Sequence, residues 1–277
     1  MNIVNIAAFS DGRIGGNPAG VAVLDAWPSS EEMQSIAADV GFSETVFAVP
    51  QGGDRSWRVR YFSPESEVAF CGHATIALGA ELAKVYGEGS HQLVLNDANI
   101  WVEGKSDNGQ YSAALQSPPT HYELLDSSEV HQTLKLFGYD HQQLSEQISP
   151  ARIHGGADHY VIALKSRSDL ASMTYDLDQG RKFMRERDLV TIMLVVAESG
   201  EIFHVRNAFA SGGVLEDPAT GAAAAAFAGY LRDSKCTQSK RIQIIQGEDM
   251  GSRSIIFAQS GAEVGSSIRV SGATRSC

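Results

Sequence analysis

The sequence predicts an α+β fold with two pseudo-symmetric halves. Each half holds several short strands, a surface helix and one very apolar helix, without the regular alternation of strand and helix that a parallel doubly wound sheet requires. Both apolar helices open with a glycine followed by small residues, in "FCGHATIALG" (70–79) and "DPATGAAAAAF" (217–227). We therefore predict two domains, residues 1–116 and 117–277, each a curved sheet around its own apolar helix, and we allow the last strand to pack back on the first domain.

The composition is that of an ordinary globular protein. Hydrophobic residues make up 43% of the 277 residues, enough for two cores, and the net charge of −11 disfavours nucleic acid as a partner. No stretch approaches the roughly 20 apolar residues of a membrane span, and no signal peptide is visible. We therefore expect a cytoplasmic protein without a membrane partner. Three widely spaced cysteines fit neither a disulfide framework nor a CxxC metal site.

In the first half, local signals mark the elements. Ser29 with Glu32 fits a capping box and Gly41 fits a left-handed stop, so "SSEEMQSIAADVG" predicts a helix. "DGRIGGNPAG" (11–20) predicts a turn-rich loop, with a strand following in "VAVLD". "ETVFAVP" and "WRVRYFSP" predict further strands. The apolar helix is expected from about Ala74 to Tyr86, closed by Gly87.

The second half begins at "SPPT" (117–120), the most linker-like segment of the chain. Helices are predicted at "SSEVHQTLKLFG" and "DLDQGRKFMRER", and strands at "DHYVIALK", "LVTIMLVVAES" and "EIFHVRNAF". The second apolar helix is expected from about Gly221 to Arg232, and three more strands finish the chain.

The starts of the two apolar helices are candidate ligand sites. A helix without a polar face is buried, and its first four N–H groups have no partner within the helix. A bound anion would satisfy those donors and the helix dipole, worth roughly 0.3–2 kcal/mol per helix end. Gly72 and Gly221 would let it approach, so we expect a small carboxylate held by both starts. Tight helix packing, or duplication without function, would explain the same glycines.

Five segments resemble the PhzF-like family of phenazine-biosynthesis-like isomerases, in the family's order: "GGNPAGVAV", "GFSETVF", "VAFCGHAT", "EDPATGAAAA" and "QGEDMG". The resemblance implies the diaminopimelate epimerase fold, an active site between two domains, a homodimer, and no metal or organic cofactor. Two departures leave the substrate open. Ala222 stands where the family usually has serine, and "MGSRS" (250–254) replaces a proline-containing version.

Glu44 and His73 are candidate catalytic residues. Glu44 lies between Phe42 and Val46, and apolar surroundings suit a carboxylate to carry a proton. An exposed carboxylate at a strand edge is the structural alternative, and the resemblance implies the role of general acid/base. His73 lies in the first turn of a buried helix, where the dipole disfavours the imidazolium. We expect a neutral imidazole that polarises a carbonyl or relays a proton, with simple helix capping as the alternative.

Asp217 is the third candidate catalytic residue, expected to face Glu44 or His73, although an aspartate before Pro218 also fits an ordinary helix cap. The candidate substrate-binding residues, which lie at the two helix starts, are Gly72, Ala74, Thr220, Gly221 and Ala222.

Cys71 bears on the choice of mechanism. The epimerase branch of this fold uses one cysteine from each domain as an acid/base pair. Cys71 matches the first position, but Thr220 occupies the second, and a threonine hydroxyl is far too weak an acid to replace a thiol. We therefore expect Cys71 to be a small buried residue beside the site.

Three functions follow as hypotheses. The first is an isomerase that moves a proton between carbons of a small cyclic or unsaturated carboxylate, with Glu44 as the proton carrier. The second is a cofactor-free epimerase or dehydratase acting on an amino or imino acid, with Cys71 as the second base. The third is a non-catalytic protein that binds small acids.

Overall fold

The chain divides into two compact units. The computed structural model describes residues 2–53, 55–96 and 98–277. Unit 1 comprises Met1–Gln116 and Ser271–Cys277, and unit 2 comprises Ser117–Val270. Among the described residues, no helix combines the length and the apolar character needed to cross a membrane.

Unit 1 surrounds the first apolar helix with a sheet. Its strands are β1 (Val4–Ala8), β2 (Asn17–Val23), β3 (Thr45–Pro50), β4 (Ser56–Phe62), β5 (Glu67–Val68), β6 (Gly89–Val94), β7 (Asn99–Asp107) and β8 (Gln110–Gln116). Its helices are α1 (Ser30–Val40) and α2 (Gly72–Tyr86). Helix α2 packs against β1, β2, β3, β6, β7 and β8, and its residues from His73 to Ala83 are all buried. The absence of a polar face in the sequence is thus explained, because sheet strands contact this helix on several sides.

Helix α1 packs on β3 and β4 and has the boundaries that its caps predict. Ser29 accepts a hydrogen bond from the Glu32 backbone, and the Glu32 side chain accepts one from the Ser29 backbone, completing the capping box. Gly41 ends the helix with a φ of 71°, in the left-handed region.

Unit 2 surrounds the second apolar helix. Its strands are β9 (His121–Leu124), β10 (Ala151–His154), β11 (Asp158–Ala163), β12 (Thr191–Ala197), β13 (Ile202–Ala208), β14 (Glu216–Asp217), β15 (Arg241–Gln246), β16 (Ser254–Ser260) and the start of β17 (Ile268–Ser276). Its helices are α3 (Ser127–Phe137), α4 (Arg167–Ala171), α5 (Leu177–Arg185) and α6 (Gly221–Asp233). Helix α6 packs on β9, β10, β11 and β16, and the run from Ala223 to Leu231 is buried.

The last strand, β17, belongs to both units. Its residues up to Val270 are part of unit 2, and those from Ser271 onward are part of unit 1. There it pairs antiparallel with β1, with Ser276 opposite Ile6. The end of the chain therefore completes the sheet that its beginning starts.

The two units repeat one strand arrangement. In unit 1, β4 is antiparallel to β3 and β5 and parallel to β6. In unit 2, β13 has the same relations to β12, β14 and β15. Tyr61, which pairs with Val68, is thus the counterpart of Asn207, which pairs with Asp217. Because the central helix follows β5 or β14 in both cases, the repetition seen in the sequence is a repetition of structure.

Several elements differ from the prediction. Strand β2 begins inside the predicted loop, at Asn17, because residues 17–20 pair with β1 despite their proline and glycine. Helix α2 begins at Gly72, two residues before the predicted start. Helix α4 is not predicted, since its five residues carry no helical period, and Ser166 caps it.

Gly104 in β7 allows α2 to pack closely on the sheet. A Cβ atom at this position would overlap the carbonyl oxygen of Gly79 and lie 2.7 Å from the Cβ of Ala83. We expect Gly104→Ala to lower the free energy of unfolding by about 1–3 kcal/mol, because the helix backbone must move. Urea denaturation of the variant and of wild type measures this loss of free energy of unfolding. The control is Gly53→Ala, whose added Cβ meets open space. Equal losses in the two variants would contradict the close packing.

Candidate active site

Glu44 lies at the entrance to β3, where both its backbone and its side chain have partners. Its carbonyl oxygen accepts a hydrogen bond from the N–H of Gly20 at 3.3 Å, which ties it to β2. Its side chain is 16% exposed, and Oε2 lies 3.4 Å from Nε2 of His73. The structure therefore brings these two predicted catalytic residues together in unit 1.

His73 is the second residue of α2 and is buried. Its Nε2 also lies 3.4 Å from the hydroxyl of Ser43, and its Nδ1 lies 3.3 Å from the sulfur of Cys71. Burial lowers the pKa of His73, and the negative charge of Glu44 opposes that effect in part. Burial thus favours the neutral imidazole, and burial is the main cause of the lowered pKa.

The start of α2 presents backbone donors without a side-chain cap. Cys71 is the N-cap residue, and its side chain makes no capping hydrogen bond. The hydrogen bond from the N–H of Thr75 to the carbonyl of Cys71 opens the helical ladder. The N–H groups of Gly72, His73 and Ala74 precede it, so they point out of the helix start. These are the donors that the sequence assigns to an anionic ligand.

In unit 2, Asp217 and Thr220 lie together before α6. The hydroxyl of Thr220 donates to Oδ2 of Asp217 at 2.5 Å, and the Thr220 N–H donates to Oε1 of Gln246 at 3.2 Å. The side chain of Thr220, the N-cap residue, makes no capping hydrogen bond to the helix. The N–H groups of Gly221, Ala222 and Ala223 therefore point out of the start of α6, as those of Gly72 to Ala74 do in α2.

Gln246 is a site residue that the sequence analysis does not single out. It is 1% exposed, and its Nε2 donates to the carbonyl of Asp217 at 2.7 Å and to Oγ1 of Thr220 at 3.0 Å. The available signal was the segment "QGEDMG", which contributes to the family resemblance without suggesting a role. Its partners lie 26 and 29 residues earlier in the chain, so local patterns could not reveal them.

Within the part of the chain that the structure describes, two groups contain side chains of the types that bind metals. One is Glu44, Cys71 and His73, and the other is His121, His154 and Asp158. In each group the potential ligand atoms lie within 4.8 Å of one another. In the second group, Asp158 already forms an ion pair with Arg152 at 2.5 Å, which competes with any cation for that carboxylate.

A cavity of about 380 Å³ in unit 1 contains none of the predicted catalytic residues. It borders the C-terminal half of α2 at Ala80, Glu81 and Lys84, and the turn before β8 at Gly109. Glu81 lies eight residues after His73, about 12 Å further along the helix axis. We therefore assign the candidate site to the helix starts and not to this cavity.

The fold is shared with a protein of the PhzF family and with a hydroxyproline epimerase. A phenazine biosynthesis protein of the PhzF family from Bacillus anthracis superposes with a TM-score of 0.85 at 20% identity, over 99% of this chain and 96% of that one. A hydroxyproline epimerase from Agrobacterium vitis shares the fold with a TM-score of 0.61 at 11% identity, over 99% of this chain and 88% of its own. The predicted fold class, α+β of the diaminopimelate epimerase type, is confirmed.

Sequence comparison defines the family. The family model described as "Phenazine biosynthesis-like protein", PhzC-PhzF, matches residues 6–275, and the chain belongs to this family. An isomerase of Pseudomonas aeruginosa, named as uncharacterised, is 33% identical over 79% of this chain and 76% of its own. The trans-2,3-dihydro-3-hydroxyanthranilate isomerase of Pseudomonas fluorescens is 31% identical over 93% of this chain and 90% of its own. The prediction that the chain is an isomerase is confirmed.

Burial makes the stability of unit 2 depend on pH through His159, whose pKa it lowers from 6.5 to about 3. The unfolded chain binds a proton near pH 6.5 and the folded chain does not, so stability is complete above pH 6.5 and falls as the pH drops toward 3. Between pH 7 and pH 5, we expect wild type to lose about 2 kcal/mol more than His159→Asn.

Urea denaturation at the two pH values measures this difference. His73 and His91, whose pKa values burial also lowers, are present in both proteins and cancel. The same pH dependence in both proteins would show that His159 titrates normally.

Proposed function

We propose that this isomerase moves a proton between two carbons of a small cyclic or unsaturated carboxylate, with Glu44 as the general acid/base. An isomerisation conserves atoms, so the C–H bond that breaks at one carbon is balanced by a C–H bond that forms at another. The electron pair released by the first step shifts the double bond. One proton carrier that remains beside the substrate is sufficient for both steps.

The contact between Glu44 and a neutral His73 supports this proposal. The carboxylate is mostly buried and lies 3.4 Å from the imidazole. An uncharged neighbour does not hold the carboxylate in a strong ion pair, so it stays able to accept a proton from carbon. We assign to His73 the task of donating a hydrogen bond to Glu44 or to negative charge that develops on the substrate.

Each helix start is proposed as a binding site for an anionic group of the substrate. The N–H groups of Gly72 and Ala74 in unit 1, and of Gly221 and Ala222 in unit 2, are the proposed donors. The sequence predicts that Thr220 binds substrate, but we do not include it among the donors. Its N–H already donates to Gln246, and its hydroxyl already donates to Asp217. Asp217 is proposed as the second polar group of the reaction. The homodimer stays a prediction.

The named relatives support the substrate class. The Pseudomonas fluorescens relative is a trans-2,3-dihydro-3-hydroxyanthranilate isomerase, and a dihydroanthranilate is a carboxylate on an unsaturated ring. A compound of this type is the first to test. Ala222, within "EDPATGAAAA", and "MGSRS" (250–254) differ from the family pattern, and we therefore propose the class and not this compound as the natural substrate.

An epimerase or dehydratase is the second candidate. The sulfur of Cys71 lies 3.3 Å from Nδ1 of His73, so a thiol could exchange a proton with the imidazole. A two-base mechanism needs a partner in unit 2, and the counterpart of Cys71 at the N-cap of α6 is Thr220. Its hydroxyl is bonded to Asp217, which favours the single-carboxylate mechanism.

Glu44→Gln is expected to lower kcat by about 10²–10⁴-fold and to stop incorporation of solvent deuterium, because the amide cannot accept a proton from carbon. The measurement is proton NMR of trans-2,3-dihydro-3-hydroxyanthranilate turnover in deuterium oxide, with EDTA present, since no metal is expected to take part. Glu65→Gln is the matched control, because Glu65 is exposed. Equal deuterium uptake by Glu44→Gln and wild type would remove Glu44 as the base.

Cys71→Ser separates the two candidate functions. If Glu44 alone carries the proton, the variant should keep kcat within about threefold of wild type, since the thiol then only fills space beside His73. A loss of more than about 100-fold would favour the two-base epimerase or dehydratase. Turnover of each active substrate by both proteins gives the comparison.

A further inference from the structure

A continuous chain of buried side-chain hydrogen bonds runs through unit 2 to the start of α6. We call it the α6 polar network, and its members are His159, Thr191, Asn207, Gln246, Thr220 and Asp217. His159, Thr191 and Asn207 are fully buried. The network crosses β11, β12, β13 and β15 and ends at the residues that precede the helix.

Two backbone groups fix the orientation of the Gln246 amide. The N–H of Thr220 can only donate, so the atom 3.2 Å from it is the amide oxygen. The carbonyl of Asp217 can only accept, so the atom 2.7 Å from it is the amide nitrogen. The Gln246 side chain is therefore oriented without any assumption about the other side chains.

This orientation determines every later bond in the network. The Gln246 oxygen must accept from the nitrogen of Asn207, at 3.3 Å, which turns the Asn207 oxygen toward Thr191. Thr191 then donates its one hydroxyl hydrogen to Asn207, at 3.1 Å. Its oxygen can only accept from His159, so Nδ1 of His159, at 2.8 Å, carries the proton. The backbone before α6 thus fixes the tautomer of a histidine three side chains away.

Unit 1 shows that the fold does not need this network. By the registers of the two repeats, Leu95 is the counterpart of Gln246, and Val68 is the counterpart of Asp217. Both counterparts are apolar, yet unit 1 has the same strand arrangement.

Thr191 also has a counterpart in unit 1. Thr191 lies two residues before Met193, which pairs with Asn207, and Glu44 lies two residues before Val46, which pairs with Tyr61. Glu44 is therefore the residue of unit 1 that is equivalent to Thr191. One member of the network, Thr191, therefore occupies in unit 2 the position that carries the proposed base in unit 1.

We propose that Gln246 is a positioning residue, which holds Asp217 and Thr220 in one arrangement at the start of α6 for the isomerisation. The amide binds the Asp217 carbonyl and both polar groups of Thr220, and Thr220 in turn binds the Asp217 carboxylate. The proposal rests on the proposed role of Asp217 in the reaction. His159 is the last member of the network. By donating to Thr191, it keeps the amide and hydroxyl groups of the network in a single hydrogen-bonding direction.

The first test reads the network without any substrate. Nitrogen-15 NMR of the histidine rings should show His159 neutral between pH 5 and pH 8, with the proton on Nδ1. In Thr191→Val, which removes the acceptor, the Nδ1–H signature should be lost or mixed with the Nε2–H form. A wild-type His159 protonated on Nε2 would overturn the proposed direction of the network.

The second test measures kcat and KM for isomerisation. Gln246→Glu keeps the size of the side chain but loses both donors, and Gln246→Leu introduces the residue that unit 1 has at this position. Each should lower kcat at least tenfold and change KM less. Gln243→Glu, on the same strand with a half-buried side chain, is the matched control and should leave both constants unchanged.

A double-mutant cycle separates this inference from the proposed function. Asp217→Asn should lower kcat, and adding Gln246→Leu should lower it by no more than a further threefold, because the two act as one unit. A low kcat in Asp217→Asn with an unchanged kcat in Gln246→Leu would overturn the positioning role alone. An unchanged kcat in Asp217→Asn would overturn both the proposed role of Asp217 and the positioning role that rests on it.

Discussion

The structure depends on how the first N–H groups of a buried helix are satisfied. A helix enclosed by a sheet cannot give these donors to bulk water, and leaving them without acceptors costs free energy. Both α2 and α6 begin without a side-chain cap, at residues whose small side chains leave the donors accessible. Each unit therefore keeps a strong preference for an anion at one place. In unit 1, His73 and Glu44 lie near the start of α2, and in unit 2, Asp217 binds Thr220 before the start of α6.

The two helix starts are alike because the two units repeat one strand arrangement. They differ in the polar residues that lie beside them. The repeats share strand order, pairing direction and the short strand before the central helix. Beside the helix start, unit 1 has the buried His73 next to Glu44, whereas unit 2 has Thr220 and Gln246 around Asp217. An apolar residue at Leu95 serves the fold as well as the amide of Gln246 does. The polar residues are therefore better explained by chemistry at the helix start than by the requirements of folding.

Much of the fold can be predicted because its signals are local. The caps of α1 at Ser29 and Gly41 need only neighbouring residues, and the apolar character of α2 and α6 follows from their own sequences. Strand β2 starts earlier than predicted because pairing with β1 outweighs the turn preference of its first residues. The same limit applies to the site. Glu44 and His73 stand in short motifs, whereas Gln246 acquires its role from residues on other strands, which no local pattern contains.

The division of β17 has a consequence for the order of synthesis. Unit 2 has its complete sequence once Val270 is made, whereas the sheet of unit 1 lacks its pairing partner for β1 until the final residues follow. The sheet of unit 1 is therefore complete only when two parts of the sequence separated by the whole of unit 2 have paired. Until then, the edge of β1 stays open, and a nascent chain of this kind is exposed to wrong strand pairing at its N-terminal end.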